Sequence, residues 1–345
     1  MMLDEIDQQA GLARAWAEQG GFPISDIAQA IVAYQPTSIT LIGRGTSDNA
    51  TGYAKYLLEI LGGYVVSSAS PSTVTLYGAR PRPSRSACIA VSQSGQSPDL
   101  VRMLQAMKAA GSLAIALTND PASPLARQAD HVIDLGAGPE RAVAATKTFM
   151  CELLALLDLC EAVCGVQSPS RAAIATAVEH AVHDVQGLQA GPAVDVLRTG
   201  LERAGHLIVI SRGVSTPIAY EGALKIMETT ARPALRYSAA DFEHGPIACV
   251  HPGTPVIVVD SSGPAQPALT PVITRLVDIG AEIVQVGSAP PHAGVRAHVR
   301  VDALDALVAP IAEIVPLQGL AHALSTSLGL DPDRPAGLSK ITRTS

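Results

Sequence analysis

One offset constrains this chain more than any other feature. "ITLIGRGTS" (Ile39–Ser47) and "LIVISRGVS" (Leu207–Ser215) are apolar runs that stop in Arg-Gly and end in Ser, 215 − 47 = 168 residues apart. The same offset carries Cys88–Gly95, "CIAVSQSG", onto Val256–Gly263, "VIVVDSSG", since 256 − 88 = 168. Two separated motifs at one offset imply a duplicated domain. In each copy an Ile/Val/Leu run gives way to Gly and Ser and is followed by a helical stretch, "SDNATGYAKYLLEIL" and "SPDLVRMLQAMKAAG" in the first, "STPIAYEGALKIMET" and "LTPVITRLVDIGA" in the second. Strand and helix in alternation predict parallel sheets covered on both faces. The chain therefore reads as two doubly wound, flavodoxin-like α/β domains over residues 35–168 and 195–330. A helical linker (169–194) joins them, a helical arm (1–34) precedes them, and a Pro-interrupted tail (331–345) follows.

Composition sets the outer limits. With 345 residues, 48% of them hydrophobic and 16% charged, the chain can bury a sizeable core. The five cysteines, with no CxxC pair, do not form a disulfide framework, and Cys160 and Cys164 read as small thiols on a core helix. No N-terminal leader pattern is visible, and no apolar stretch approaches the roughly 20 residues of a membrane span. A cytoplasmic protein with no membrane partner is expected. A net charge of −7 argues against a nucleic-acid partner, which needs concentrated Lys and Arg. It leaves room for a small phosphorylated ligand, because backbone N–H groups and hydroxyls at a helix N-terminus hold phosphate without net positive charge.

The loops where such a ligand would sit differ between the copies. In open parallel sheets, ligands lie beyond the carboxyl ends of the strands. The first copy places Thr46 and Ser47 in one such loop and Ser92, Gln93, Ser94 and Ser97 in another, each close to a helix start. A single loop of this kind would read as capping; two at adjacent strand ends predict a phosphate cradle. Opposite Thr46 the second copy has Val214, and opposite Ser92 it has Asp260, whose charge would repel phosphate. The second copy instead carries Glu221, Lys225 and Glu228 at i, i+4 and i+7, one face of a helix opened by Thr216-Pro217. Such a stripe is commonly an exposed salt-bridged face. Subtracting 168 gives Tyr53, Leu57 and Ile60, apolar packing in the twin, so a charged cluster lining a cleft is the expectation here.

Three further groups are candidates to act on the same ligand. "DFEHGP" places His244 in a loop closed by Gly245-Pro246, and "GPERAVAATKTF" places Glu140 and Val143–Thr146 at the start of another helix, as a pocket wall beside Lys147, which reads as a surface charge. Lys340 sits in a tail with no amphipathic stripe, which by composition alone reads as a frayed terminus.

With "GTS", "SQSG", "VAATK", "EGALKIME", "EHGP" and the terminal "LSK" in view, the chain from about Ile39 onward resembles the paired sugar isomerase (SIS) domains of glucosamine-6-phosphate synthases and of the related glucosamine-6-phosphate deaminases. The resemblance implies that Thr46, Ser47, Ser92, Gln93, Ser94 and Ser97 bind the sugar phosphate. It also implies that Glu228 shuttles the proton between C1 and C2, and that His244, from the neighbouring subunit of a homodimer, opens the ring. Lys340 becomes the imine-forming lysine, which replaces the frayed-tail reading. Glu221 and Lys225 match residues lining the same site, as do Val143 and Ala145. Ala145 departs from the synthase pattern, which has Ser in "VAST", so a contact near the sugar C2 is not carried over.

The synthases begin with a glutamine-hydrolysing domain whose nucleophile is an N-terminal Cys, whereas this sequence has no Cys before Cys88. The expected reaction runs in the reverse sense: glucosamine 6-phosphate to fructose 6-phosphate and ammonia. Acid–base steps of this kind call for no metal or other cofactor. A deglycase acting on 6-phosphorylated sugar–amino acid adducts would use the same cradle. A non-catalytic sugar-phosphate sensor would keep the cradle without Glu228, His244 or Lys340, and residues 1–34 are too short for the helix-turn-helix domain a regulator would carry.

Overall fold

In a computed structural model the alternating runs form two five-stranded parallel sheets. The structure describes residues 1–82, 85–167, 170–338 and 340. Two helices open the chain, α1 (Met2–Glu18) and α2 (Ser25–Tyr34). The first sheet and its helices follow as β1 (Ser38–Ile42), α3 (Thr46–Gly62), β2 (Val66–Ser68), α4 (Ser72–Thr75), β3 (Ser86–Val91), α5 (Pro98–Ala109), β4 (Leu113–Thr118), α6 (Pro124–Gln128), β5 (His131–Asp134) and α7 (Lys147–Cys164). Next come α8 (Arg171–Leu188) and α9 (Pro192–Ala204). The second set is β6 (Leu207–Ser211), α10 (Thr216–Thr230), β7 (Ala234–Ser238), α11 (Ala239–Glu243), β8 (Pro255–Val259), α12 (Gln266–Ile279), β9 (Glu282–Gly287), β10 (Ala297–Arg300) and α13 (Ala309–Ser327).

The chain divides into two compact units. One contains the first sheet: Trp16–Glu140, the helix that starts at Lys147, and Lys340 of the tail. The other contains the second sheet: Met1–Ala15, Arg141–Thr146 and residues 170–338.

Both sheets have the order predicted for doubly wound, flavodoxin-like domains. The first runs β2-β1-β3-β4-β5, and the second, taken from its other edge, β7-β6-β8-β9-β10. The order therefore reverses between β1 and β3 in one unit and between β6 and β8 in the other, and ligand crevices form at such switch points. Register makes the geometry definite. Ile42 at the end of β1 lies opposite Ala90 near the end of β3, so the loops beginning at Gly43 and Ser92 leave the sheet side by side. Ser211 opposite Val259 does the same for the loops beginning at Arg212 and Asp260.

The sequence explains why these strands are central. All residues of β3, "SACIAV", and of β8, "PVIVV", are buried, as a parallel strand covered on both faces requires. One face of the first sheet packs Ile42, Cys88 and Ala90 against Leu100, Met103, Leu104 and Met107 of α5. In the second unit Ile208, Ile210, Val256 and Val258 pack against Leu269, Val272, Ile273 and Leu276 of α12, with Phe242 joining them. Two glycines permit the turns of the first unit. A Cβ on Gly43 would lie 2.8 Å from the Asp48 backbone, so β1 can enter α3 this tightly only through glycine. Gly95 has φ +59°, and a Cβ there would lie 2.1 Å from Ser123 Oγ. Among the described residues no helix is long and apolar enough to cross a membrane. α13 is instead buried on nearly every side within its own unit.

Candidate functional site

The first unit's two loops converge by the register just described, and their hydroxyls are not spent on capping. α3 opens at Thr46 with Gly45, which has no side chain, in the N-cap position. Ser97 holds the N-cap position of α5, yet its side chain makes no cap hydrogen bond. Elsewhere the chain caps helices in the ordinary way, with Ser123 accepting from Ala126 N and Ser238 accepting from Asp241 N. Ser92 Oγ accepts from Gly95 N at 3.2 Å and Ser94 Oγ from Gln96 N at 3.3 Å, so both oxygens shape the turn while their protons remain donors. The Gln93 carbonyl accepts from Asn119 N at 3.1 Å, tying this loop to the end of β4.

Ser47 differs from the expectation for a phosphate donor. Its hydroxyl donates to Glu152 Oε1 of α7 at 2.8 Å, and the residue is buried, so it can meet a ligand only through its backbone. Arg44, which sequence reasoning passed over, donates from Nε to the buried Asp99 at 2.9 Å and keeps a half-exposed guanidinium beside both loops. Its signal was the Arg-Gly that closes β1.

In the second unit the charged stripe of α10 is not an exposed face. Lys225 and Glu221 are fully buried, and Glu228 keeps 23% of its side chain exposed. Lys225 Nζ lies 3.2 Å from Glu221 Oε1 and 2.5 Å from Glu228 Oε2. Burial works against the charge on Lys225, but the two carboxylates outweigh it and hold its pKa well above that of an ordinary lysine. A buried cation between two anions is sustained only by its partners. Lys225→Met should lower unfolding free energy by about 3–5 kcal/mol, the usual cost of leaving buried charge uncompensated, as measured by urea denaturation. In the twin helix α3, Tyr53 and Leu57 are fully buried as predicted, but Ile60 is 55% exposed, because the third stripe position points away from the core there.

His244 is exposed and stands at the C-terminus of the short helix α11, its N–H donating to Asp241 O at 3.2 Å. "DFEHGP" is therefore a helix and turn rather than an open loop. Gly245 makes the turn at φ +142°, and Phe242 and Ile247 anchor it in the core.

The segment expected to start a helix does not. Glu140 and Val143–Thr146 precede α7, which begins at Lys147. The Glu140 carboxylate accepts from Lys147 N at 3.1 Å, from Thr148 N and from Thr148 Oγ1, capping α7 from seven residues upstream. Lys147 is buried rather than a surface charge. Val143 and Ala145 are half-buried in Arg141–Thr146, a segment held within the second sheet's unit. Glu5 accepts from Arg141 N and Ala142 N, and Gln318 Nε2 donates to Thr146 O at 3.2 Å. Lys340 is half-buried and assigned to the first sheet's unit.

Comparison with known proteins adds four findings. A family model described as "SIS domain" matches residues 33–161 and 200–286. The glutamine–fructose-6-phosphate aminotransferase (isomerizing) of Methanothermobacter thermautotrophicus is 32% identical over 360 residues, covering 98% of this chain and 56% of the relative, so the chain spans little more than half that protein's length. Among solved structures, a Silicibacter pomeroyi protein provisionally named a phosphosugar isomerase aligns at 31% identity and a TM-score of 0.82 over 96% of this chain and 99% of the other. A Thermotoga maritima glucosamine-6-phosphate deaminase shares the fold at 20% identity and a TM-score of 0.73, over 99% of each chain.

Proposed function

The chain belongs to the SIS domain family, and on that premise we propose that it is an isomerising deaminase of amino sugar 6-phosphates, taking glucosamine 6-phosphate to fructose 6-phosphate and ammonia. The observation that carries this reading is the buried Lys225 held between Glu221 and Glu228, with Glu228 the member that reaches solvent. A carboxylate held by a buried ammonium and open to solvent on one side is fixed in position, which suits a base that must take a carbon-bound proton.

The residues divide the work. Ser92, Ser94 and Ser97 hydroxyls, with Thr46, Gln93 and the backbone of Ser47, hold the phosphate at the first switch point. His244, supplied by the partner in a homodimer, opens the sugar ring. Glu228 removes the C2 proton of the open-chain aldose and returns a proton at C1, which leaves an imine at C2. The Lys340 amine adds to that imine and expels ammonia, and water then adds to the lysine imine, breaks its C–N bond and frees the ketose. Glu221 and Lys225 hold Glu228 in place, and Val143 and Ala145 line the sugar.

Two measurements examine this. Purified protein incubated with a panel of amino sugar 6-phosphates and 6-phosphorylated sugar–amino acid adducts should release ammonia from glucosamine 6-phosphate; turnover of the adducts alone would install the deglycase reading instead. Ser94→Ala and Ser97→Ala should each raise KM about 10-fold or more with kcat little changed, since each removes a hydroxyl donor to a charged phosphate worth about 1.5–3 kcal/mol. An unchanged KM in both variants would place the phosphate elsewhere.

A further inference from the structure

The second unit keeps the loops of an anion cradle and has filled them with its own carboxyls. Under the offset of 168, Ser215 takes the place of Ser47, Asp260 that of Ser92 and Ser261 that of Gln93. In the first unit a carboxylate of the last helix, Glu152 of α7, receives the Ser47 hydroxyl. In the second unit the last helix, α13, contributes Glu313, which is fully buried. The hydroxyls of Ser215 and Ser261 lie near enough to favour its ionised form, yet neither stands in hydrogen-bonding geometry, and both Glu313 oxygens are without a partner. Asp260 is buried as well. Gln285 Nε2 donates to its Oδ2 at 3.2 Å, while Oδ1 has no partner. An unpartnered buried carboxylate is costly, and a protonated one is far less so.

We propose that this degenerate cradle is a proton-binding site: the buried carboxyls of Glu313 and Asp260 take up protons, and α13 packs firmly on α10 only while Glu313 is protonated. The electrostatics of the two carboxyls agree. Burial, reinforced by the Asp260 charge, pushes Glu313 up to about 7. Burial also pushes Asp260 up to about 6 against the opposing pull of His292. These are the charged groups that act on the pair among the described residues. A phosphate would meet two carboxyls here, and no group of three or more His, Cys, Asp or Glu stands ready for a metal among the described residues.

The route to α10 is short. Ser215 immediately precedes α10, and α13 is locked to α10 along its length. Thr229 Oγ1 donates to Ala321 O at 3.2 Å and Ser325 Oγ to Thr229 O at 2.7 Å. At Gly222 the two helices come so close that a Cβ would lie 3.1 Å from Leu317. An ionised Glu313 that draws water or shifts α13 thus disturbs the helix carrying Glu221, Lys225 and Glu228. The functional weight of this coupling rests on the reading of α10 as the acid–base helix; the coupling itself does not.

The sign follows from linkage. Both folded-state pKa values lie above those of exposed carboxyls, so the stabilisation from protonation is complete below about pH 4 and is lost as pH rises through 6 to 7. Glu313→Gln mimics the protonated form. Its melting temperature should match wild type at pH 5 and exceed it by several degrees at pH 8, corresponding to a relative gain of roughly 50-fold in the folding equilibrium constant over that interval. Hydrogen exchange across residues 216–230, corrected for intrinsic rates, should accelerate between pH 6 and 8 in wild type and not in the variant. Asp260→Asn provides a second variant, and the wild-type melting curve alone should fall across the same range. A Glu313→Gln protein less stable than wild type at both pH values, or α10 protection indifferent to pH, would overturn the proposal. None of these readouts involves substrate, so failure here is distinguishable from failure of the deaminase reading.

Discussion

Glu228→Gln should reduce turnover by roughly 10²–10⁴-fold while ligand still binds, the loss expected when a general base is removed and its shape kept. The surroundings sharpen this expectation. Lys225 keeps its charge because Glu221 remains beside it at 3.2 Å, so the variant should stay folded, and the defect should fall on kcat rather than KM. Isothermal titration with a sugar phosphate, alongside steady-state kinetics, separates the two. Near-normal turnover would reduce the Glu221–Lys225–Glu228 array to a structural ion cluster.

Mixing two dead proteins should give a live one. If each site of a homodimer takes His244 from one chain and Lys340 from the other, His244→Ala and Lys340→Ala are each inactive alone. A mixed dimer then holds one site lacking both groups and one intact. After full exchange of an equal mixture, half the dimers are mixed with one good site each, so about a quarter of wild-type activity should return. His244 itself is exposed beside Gly245, between the buried Phe242 and Ile247. Exchange verified by native mass spectrometry with no activity would put both groups on one chain.

The sequence was informative wherever a feature had a period or a twin. The constant offset gave the duplication, alternating runs and helices gave the parallel sheets, and the i, i+4, i+7 spacing placed three charges on one face of α10. What could not be read has a common cause. Glu152 and Glu313 sit in helices that are apolar on nearly all sides, so no periodicity tells which way a lone carboxyl points or that Ser47, 105 residues earlier, meets Glu152. Glu140 caps α7 across a seven-residue gap, outside any local capping pattern, and the helix was therefore expected to begin too early. Lys147, flanked by Thr146 and Thr148, carried no sign of burial in its neighbours, and Ile60 carried none of exposure.

The most direct test of the account uses glucosamine 6-phosphate labelled with ¹³C at C2 and ¹⁵N at the amine, followed by NMR. The amine-bearing C2 signal should be replaced by that of a ketose carbonyl or its hemiketal, with an equimolar appearance of labelled ammonium, and both changes should slow together in Glu228→Gln. A C2 signal that persists in the presence of active, phosphate-binding protein, or ammonium released without ketose, would contradict it.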